Sequence, residues 1–202
     1  MRYTGQGPRP GHFVFAYDAG QLQDDAAIVG VSNFFHEVSG AGHVPVRHVV
    51  VEHAERIEAR KRNPVPLDSQ VARVVTLATA YGSAPVLFDQ FAGPTVKAAF
   101  EKLGYREAPP GERPRTKQFR QVSMAPTAQT PRWKLLRDLF MGRRIHISPD
   151  HEWLAREVAG LKATQQSSGA IKVEGKKDNG ADALALACEL VVQIEPTGDG
   201  SV

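Results

Sequence analysis

The sequence predicts one α/β domain with a mixed central β-sheet flanked by α-helices. Three observations carry that expectation. The first 51 residues hold three β-rich runs, the first two joined by a short polar turn, which is a hairpin pattern. From residue 68 onward, stretches with apolar residues at helical spacing alternate with short apolar runs, as in an α/β sheet. At 42% hydrophobic content over 202 residues, the chain can bury one core.

Residues 12–17 read as an apolar strand that ends at Asp18. Residues 19–25 form a turn, and residues 26–35 return as the second strand. Residues 43–51 are a third β-rich run. The charged stretch 52–62 fits either a continuation of that strand or a short helix. Residues 68–81 carry Val71, Val74, Val75 and Ala78 at helical spacing, with Asp68 as N-cap and Gly82 as terminator. Residues 85–88 form a short buried strand with Asp89 at its end. Residues 94–103 form a helix, opened by Pro94 and closed by Gly104. Residues 108–130 are dense in Pro, Arg, Lys and Gln and read as one long loop. Helices at 130–141 and 149–162, strands at 143–147 and 171–173, and an Ala/Leu-rich helix at 181–192 complete the chain.

These elements predict a leader or linker remnant over residues 1–11, a domain over 12–195 and a loose tail over 196–202. No apolar run is long enough to span a bilayer, and the first residues lack a signal-peptide core. The lone Cys188 excludes an internal disulfide framework and sits in an apolar helical run as core filler. No Cys/His spacing suggests zinc, and no G-x-S-x-G nucleophile elbow is present.

Net charge is only +3, but the basic residues are grouped: 56–62, 113–120, 143–144 and 176–177. Grouped cations can hold phosphates, so Arg113, Arg115, Lys117, Arg120, Arg143, Arg144, Lys176 and Lys177 are candidates for contacting a polyanion. Each group alone also reads as a solvated face.

Three acidic points stand at strand or helix ends: Asp18, Asp89, and the pair Asp178 and Asp182 around the start of the last helix. An Asp after a strand is commonly a turn former, and Asp178 fits an N-cap. Strand ends that are neighbours in a sheet, however, bring such residues together. Converging carboxylates repel one another and favour a hard divalent cation. Glu52, which also follows a strand, is an outside candidate.

Four motifs in order resemble the nuclease domain of tailed-phage large terminase subunits, the motors that package viral DNA. They are Phe13-Val14-Phe15-Ala16-Tyr17-Asp18 with Asp24-Asp25-Ala26-Ala27-Ile28-Val29; Val86-Leu87-Phe88-Asp89; Lys134 to Leu139 with Arg143-Arg144-Ile145-His146-Ile147 and Leu154-Ala155-Arg156-Glu157-Val158; and Lys177-Asp178-Asn179-Gly180-Ala181-Asp182 with the Ala/Leu run behind it. The last is also similar to the closing motif of Holliday-junction resolvases. The resemblance spans about residues 12 to 195. It implies an RNase H-like fold, a two-ion Mg²⁺ or Mn²⁺ site, and largely sequence-independent endonucleolytic cutting of double-stranded viral DNA concatemers by two-metal-ion phosphodiester hydrolysis. Carried over, Asp18 and Asp89 are catalytic metal ligands. The family often shows two adjacent acids after a His where this chain has Lys177-Asp178-Asn179, so Asp178 and Asp182 both stand as the third ligand, with Asp182 favoured. An ATPase motor, a portal and a small terminase subunit are the implied partners, and the host cytoplasm the implied location. A phosphate-binding loop, G-x-x-x-x-G-K-[ST], is absent from the 202 residues, so the chain reads as a nuclease domain without its motor. The alternatives are a junction-resolvase-like nuclease, or a non-catalytic DNA-binding module on the same fold.

Overall fold

The computed structural model describes residues 13–20, 25–37, 45–59, 64–90, 93–167, 169–175 and 178–194. The expected leader and tail and Lys176 and Lys177 lie outside them. Strands β1 (Val14–Asp18), β2 (Ala26–Glu37) and β3 (Pro45–Ile57) form an antiparallel meander. Helix α1 (Leu67–Ala80) leads to β4 (Val86–Asp89), which pairs parallel with β1. Helix α2 (Gly93–Lys102) precedes the short β5 (Arg106–Glu107) and then β6 (Gln118–Val122). Helix α3 (Pro126–Met141), β7 (Ile145–Ile147), α4 (Glu152–Ala159), a hairpin of β8 (Lys162–Gln165) and β9 (Ile171–Glu174), and α5 (Asn179–Val191) follow. The seven-stranded mixed sheet has the order β5-β6-β4-β1-β2-β3-β7, with β2 antiparallel to its neighbours.

Alternation along the strands sorts the core into two layers. Phe13, Phe15, Tyr17, Ile28, Val86 and Phe88 face α1 and α2. Val14, Ala16, Val29, Val31 and Leu87 face the other way, onto α5, α3 and α4. Helix α5 is buried nearly all round, and its run of Ala183, Ala185 and Ala187 beside Leu184 and Leu186 lets it lie between the sheet and α3. Among the described residues no helix is long and apolar enough to cross a membrane.

Four sequence expectations change and one left open is decided: first, α1 starts at Leu67, with Pro66 and not Asp68 at its N-cap. The stretch 108–130 is not one loop: β6 lies within it and pairs parallel with β4. Only Phe119 of β6 is fully buried, stacking among Phe88 and Phe100, so long polar side chains hide its period. Helix α3 begins at Pro126 rather than near residue 130. Residues 149–162 divide into a short 3₁₀ turn, α4 ending before Gly160, and β8. The ambiguous stretch after residue 51 extends β3 to Ile57.

That extension carries a β-bulge. Val31 pairs with Val51 and Gly30 with His53, so Glu52 is the extra residue. Before the bulge Val49 and Val51 face α5; after it Ala54 does, and His53 and Ile57 turn towards α1. Arg56 therefore shares the α5 face with Ala54. Gly30 sits where a Cβ would lie 2.6 Å from the Phe15 ring. Gly30→Ala is expected to cost about 1–3 kcal/mol by overpacking, measured by urea unfolding; an unchanged midpoint would mean that the ring has room to move.

Candidate active site

Tyr17 of β1 stands opposite Phe88 of β4 in a parallel pair, so the next residues, Asp18 and Asp89, lie side by side where the strands end. Alternation turns both away from the aromatic layer and towards α5, on the face of Ala16 and Leu87. Both are buried. Burial raises the affinity of Asp18 for a proton, and the nearby Asp89, Asp182 and Asp178 raise it further, well above the usual carboxylate range.

The N-terminus of α5 arrives over this pair. Asp178 occupies its N-cap position, but the side chain makes no capping bond to the helix and instead accepts from the Gly175 N–H at 3.4 Å. Asp182, in the first turn, is pushed up to about 7 by burial, then by Asp178, Asp89 and Glu157, with Arg132 pulling the other way. On the opposite face of β1, the Tyr17 hydroxyl donates to Gln70 at 2.6 Å, and burial together with Asp18 and Asp89 raises its pKa. The structure thus brings all four predicted acids to one pole of one sheet face. Among the described residues, no three Asp, Glu, His or Cys side chains close on a single point tightly enough to enclose an ion as they stand. Asp18 and Asp89 are the adjacent pair, and the α5 acids act on them through their charge. The donor set is entirely oxygen, with neither His nor Cys, which fits Mg²⁺ or Mn²⁺.

Of the described basic candidates, five lie at the far end of the sheet, and Arg120 lies on β6 beside β4. Arg113, Arg115 and Lys117 precede β6 at the start of β4, the end away from Asp89: the Lys117 N–H donates to the Ser83 carbonyl at 2.8 Å, and Arg113 donates to the Gln193 carbonyl. Arg120, half-buried in β6, donates to the Pro109 carbonyl at 2.9 Å. Arg143 and Arg144 precede β7, which pairs with β3 at Val49 to Val51, far from the Ile57 end that reaches the acidic pole. Glu52 accepts from the Ser32 hydroxyl at 2.6 Å; Ser32 is five residues from the Ala27 that faces Asp18, roughly 16 Å along the strand.

Residues not singled out from sequence complete the pole. Glu157 of α4 is buried, accepts from the Ala181 N–H of α5 at 3.0 Å, and pairs with Arg56 of β3. Arg56 lies over the Trp153 ring at 4.5 Å and 3.9 Å from the Asp25 carboxylate. The available signal was a glutamate three residues after Leu154, on the buried stripe of its helix.

No protein-family model and no curated protein matches the chain. Solved structures do. The large terminase nuclease from thermophilic phage G20c with bound magnesium is 17% identical, with 90% of this chain and 83% of that chain covered and a TM-score of 0.65. The HK97 bacteriophage large terminase is 12% identical at a TM-score of 0.61; 89% of this chain is covered but only 39% of that one. The manganese-soaked nuclease domain of the human cytomegalovirus terminase is 8% identical, with 95% and 90% covered and a TM-score of 0.52. The likeness shows the fold, which is RNase H-like.

The protonation of the acidic pole has a measurable consequence. Asp182 holds its proton more tightly folded than unfolded, so the folded state binds extra protons between its usual value of 3.8 and about 7. Stability is then greatest at acid pH and falls as pH rises through that window. In EDTA, the melting temperature should drop between about pH 4 and pH 7. Asp18→Asn should be the more stable protein at the upper end, by on the order of a few kcal/mol. A flat profile, or a less stable variant, would show that the carboxylates do not repel.

Proposed function

We propose that this chain is the nuclease domain of a tailed-phage large terminase subunit, a metal-dependent endonuclease that cuts double-stranded viral DNA concatemers during genome packaging. The observation that carries the reading is the meeting of Asp18, Asp89 and the α5 acids at one buried pole of an RNase H-like sheet. The fold likeness supports it, since the similar solved structures are terminase nucleases, one with bound magnesium and one soaked with manganese.

In this reading Asp18, Asp89 and Asp182, with Asp178 beside them, hold two Mg²⁺ or Mn²⁺ ions. Bound there, such ions supply Lewis-acid activation of water and neutralise charge on the leaving oxygen. The protein's own part is preparatory. Asp18 and Asp89, once deprotonated, both present oxygens to cations. The β1–β4 register keeps the two carboxyls adjacent without any movement of backbone. Burial of the pair strengthens its attraction for cations. Asp182 brings a third carboxylate on a rigid helix rather than a loop.

Cutting that is largely sequence-independent needs cations that grip the DNA backbone and not the bases. Lys176 and Lys177 immediately precede Asp178 in sequence, and chain order favours them for that task near the cut. Arg113, Arg115, Lys117, Arg120, Arg143 and Arg144 would then contact DNA away from the scissile phosphate. The ATPase motor, portal and small subunit belong to the same proposal, as does action inside the infected cell.

Supercoiled plasmid incubated with Mg²⁺, Mn²⁺ or EDTA tests the reading. Nicking and linearisation are expected with either metal and not with EDTA. Asp89→Asn should lower the rate by roughly a hundredfold or more, beyond what loss of a residue merely supporting a ligand costs. Full activity in a pure Asp89→Asn preparation would remove the site. A marked preference for four-way junctions would move the chain to the resolvase-like nucleases. DNA binding without cleavage under any metal would make it a non-catalytic module.

A further inference from the structure

We propose that Arg56 and Glu157 are positioning residues that set the first turn of α5, and with it Asp178 and Asp182, for cation binding. The inference rests on the metal-site reading above and adds residues to it.

A helix N-terminus leaves its first backbone N–H groups without helical partners, and a local side chain usually caps one of them. Helix α5 has no such cap. Its Ala181 N–H instead donates at 3.0 Å to Glu157, a carboxylate from another helix. Burying that carboxylate is costly unless a cation pairs with it. Arg56 is that cation, and its side chain reaches Glu157 because the β3 bulge turns it to the α5 face. Its guanidinium also lies over Trp153, one helical turn before Glu157 on α4.

The same arginine ties in a third element. Its Nε is 3.9 Å from the Asp25 carboxylate, which accepts from the Ala59 N–H at 2.9 Å. The Asp25 carbonyl accepts from the Asn179 side chain, at the first residue of α5. Gly180 completes the fit, because a Cβ there would lie 2.6 Å from the Trp153 ring and 3.0 Å from the Glu157 carboxylate. Asn179, Gly180 and Ala181 are therefore each held from outside the helix. The two residues that flank them are Asp178 and Asp182. An element gripped at three consecutive residues between two acids fixes where those acids point.

Charge and position predict opposite signs, which makes the inference testable. Removing a cation beside an acidic site should tighten divalent binding if only charge matters. It should weaken binding if Arg56 sets the geometry. The experiment is calorimetric titration of the whole chain with Mn²⁺ alone, for wild type, Arg56→Met, Arg56→Lys, Glu157→Gln and Asp89→Asn. Amide hydrogen exchange over residues 179–182 and the metal dependence of plasmid cleavage are read alongside. Arg56→Met is expected to weaken Mn²⁺ binding about tenfold or more and to speed exchange at Ala181. Half-saturating metal should rise, with the rate at saturating metal near that of wild type. Arg56→Lys keeps the charge without the guanidinium fork and should fall between. If Arg56→Met does not fold, Arg56→Lys and Glu157→Gln carry the test. Tighter Mn²⁺ binding in Arg56→Met, or wild-type affinity and exchange in folded Arg56→Lys and Glu157→Gln, overturns the positioning role. A wild type that binds no Mn²⁺, or binds it as well after Asp89→Asn, overturns the metal-site reading instead.

Discussion

Two carboxylates are held against each other by the backbone, because β1 and β4 run parallel with Tyr17 opposite Phe88. The next register position then has to contain Asp18 and Asp89, and the pleat has to aim both at α5. Neither side chain can retreat, since each ends a strand buried among hydrophobic layers. The like charges make this arrangement unfavourable unless a proton or a cation lies between them. Much of the remaining architecture answers that constraint. Helix α5 shields the pair while bringing two more acids, and α1 and α2 hold the other face of the strands through Tyr17 and Phe88.

The parts of this arrangement that could be read from sequence are those with a short period. Val14, Ala16 and Asp18 alternate with Phe15 and Tyr17, so the strand and its terminal acid are visible, and Val86 to Asp89 repeats the pattern. The Ala/Leu run of α5 marks a helix buried on every side. Strand β6 was hidden because one buried Phe119 among Gln118, Arg120 and Gln121 has no detectable alternation. The bulge at Glu52 was hidden because an extra residue in one strand has no composition of its own; only pairing with β2 reveals it. Arg56 and Glu157 lie 101 residues apart, and their meeting depends on that bulge. The basic clusters are legible along the chain but their place in the fold is not. Arg113 to Lys117 and Arg143 with Arg144 are grouped along the chain, yet the folded sheet carries them to the pole away from the acids.

Fold likeness at 8–17% identity to the solved terminase structures says that very different side chains support a similar fold. A likeness of that kind speaks for the scaffold, and chemistry has to be argued from the residues the scaffold brings together. Here those residues form an oxygen-only donor set at strand ends and a helix start. That set suits a hard divalent cation far better than zinc or copper. The fold and the site are thus two separate lines, one from backbone and one from side-chain chemistry, and both support the proposed reading.

The balance of charge at the acidic pole bears directly on the proposed role of an external cation. The chain as a whole carries +3, so scarcity of positive charge is not the reason. Among the described residues two arginines come close to the site, and both are already engaged. Arg56 is paired with Glu157, and Arg132 is paired with Glu189 at 2.5 Å while donating to the Ser123 carbonyl at 2.7 Å. Arg132 lowers the proton affinity of Asp182, but Asp178, Asp89 and Glu157 outweigh it. A resident arginine free to turn towards Asp18 and Asp89 would satisfy them permanently and compete with any metal. Both of these arginines are committed to glutamates, so in the proposed reading they hold their own elements in place and leave the aspartates to be neutralised from solution.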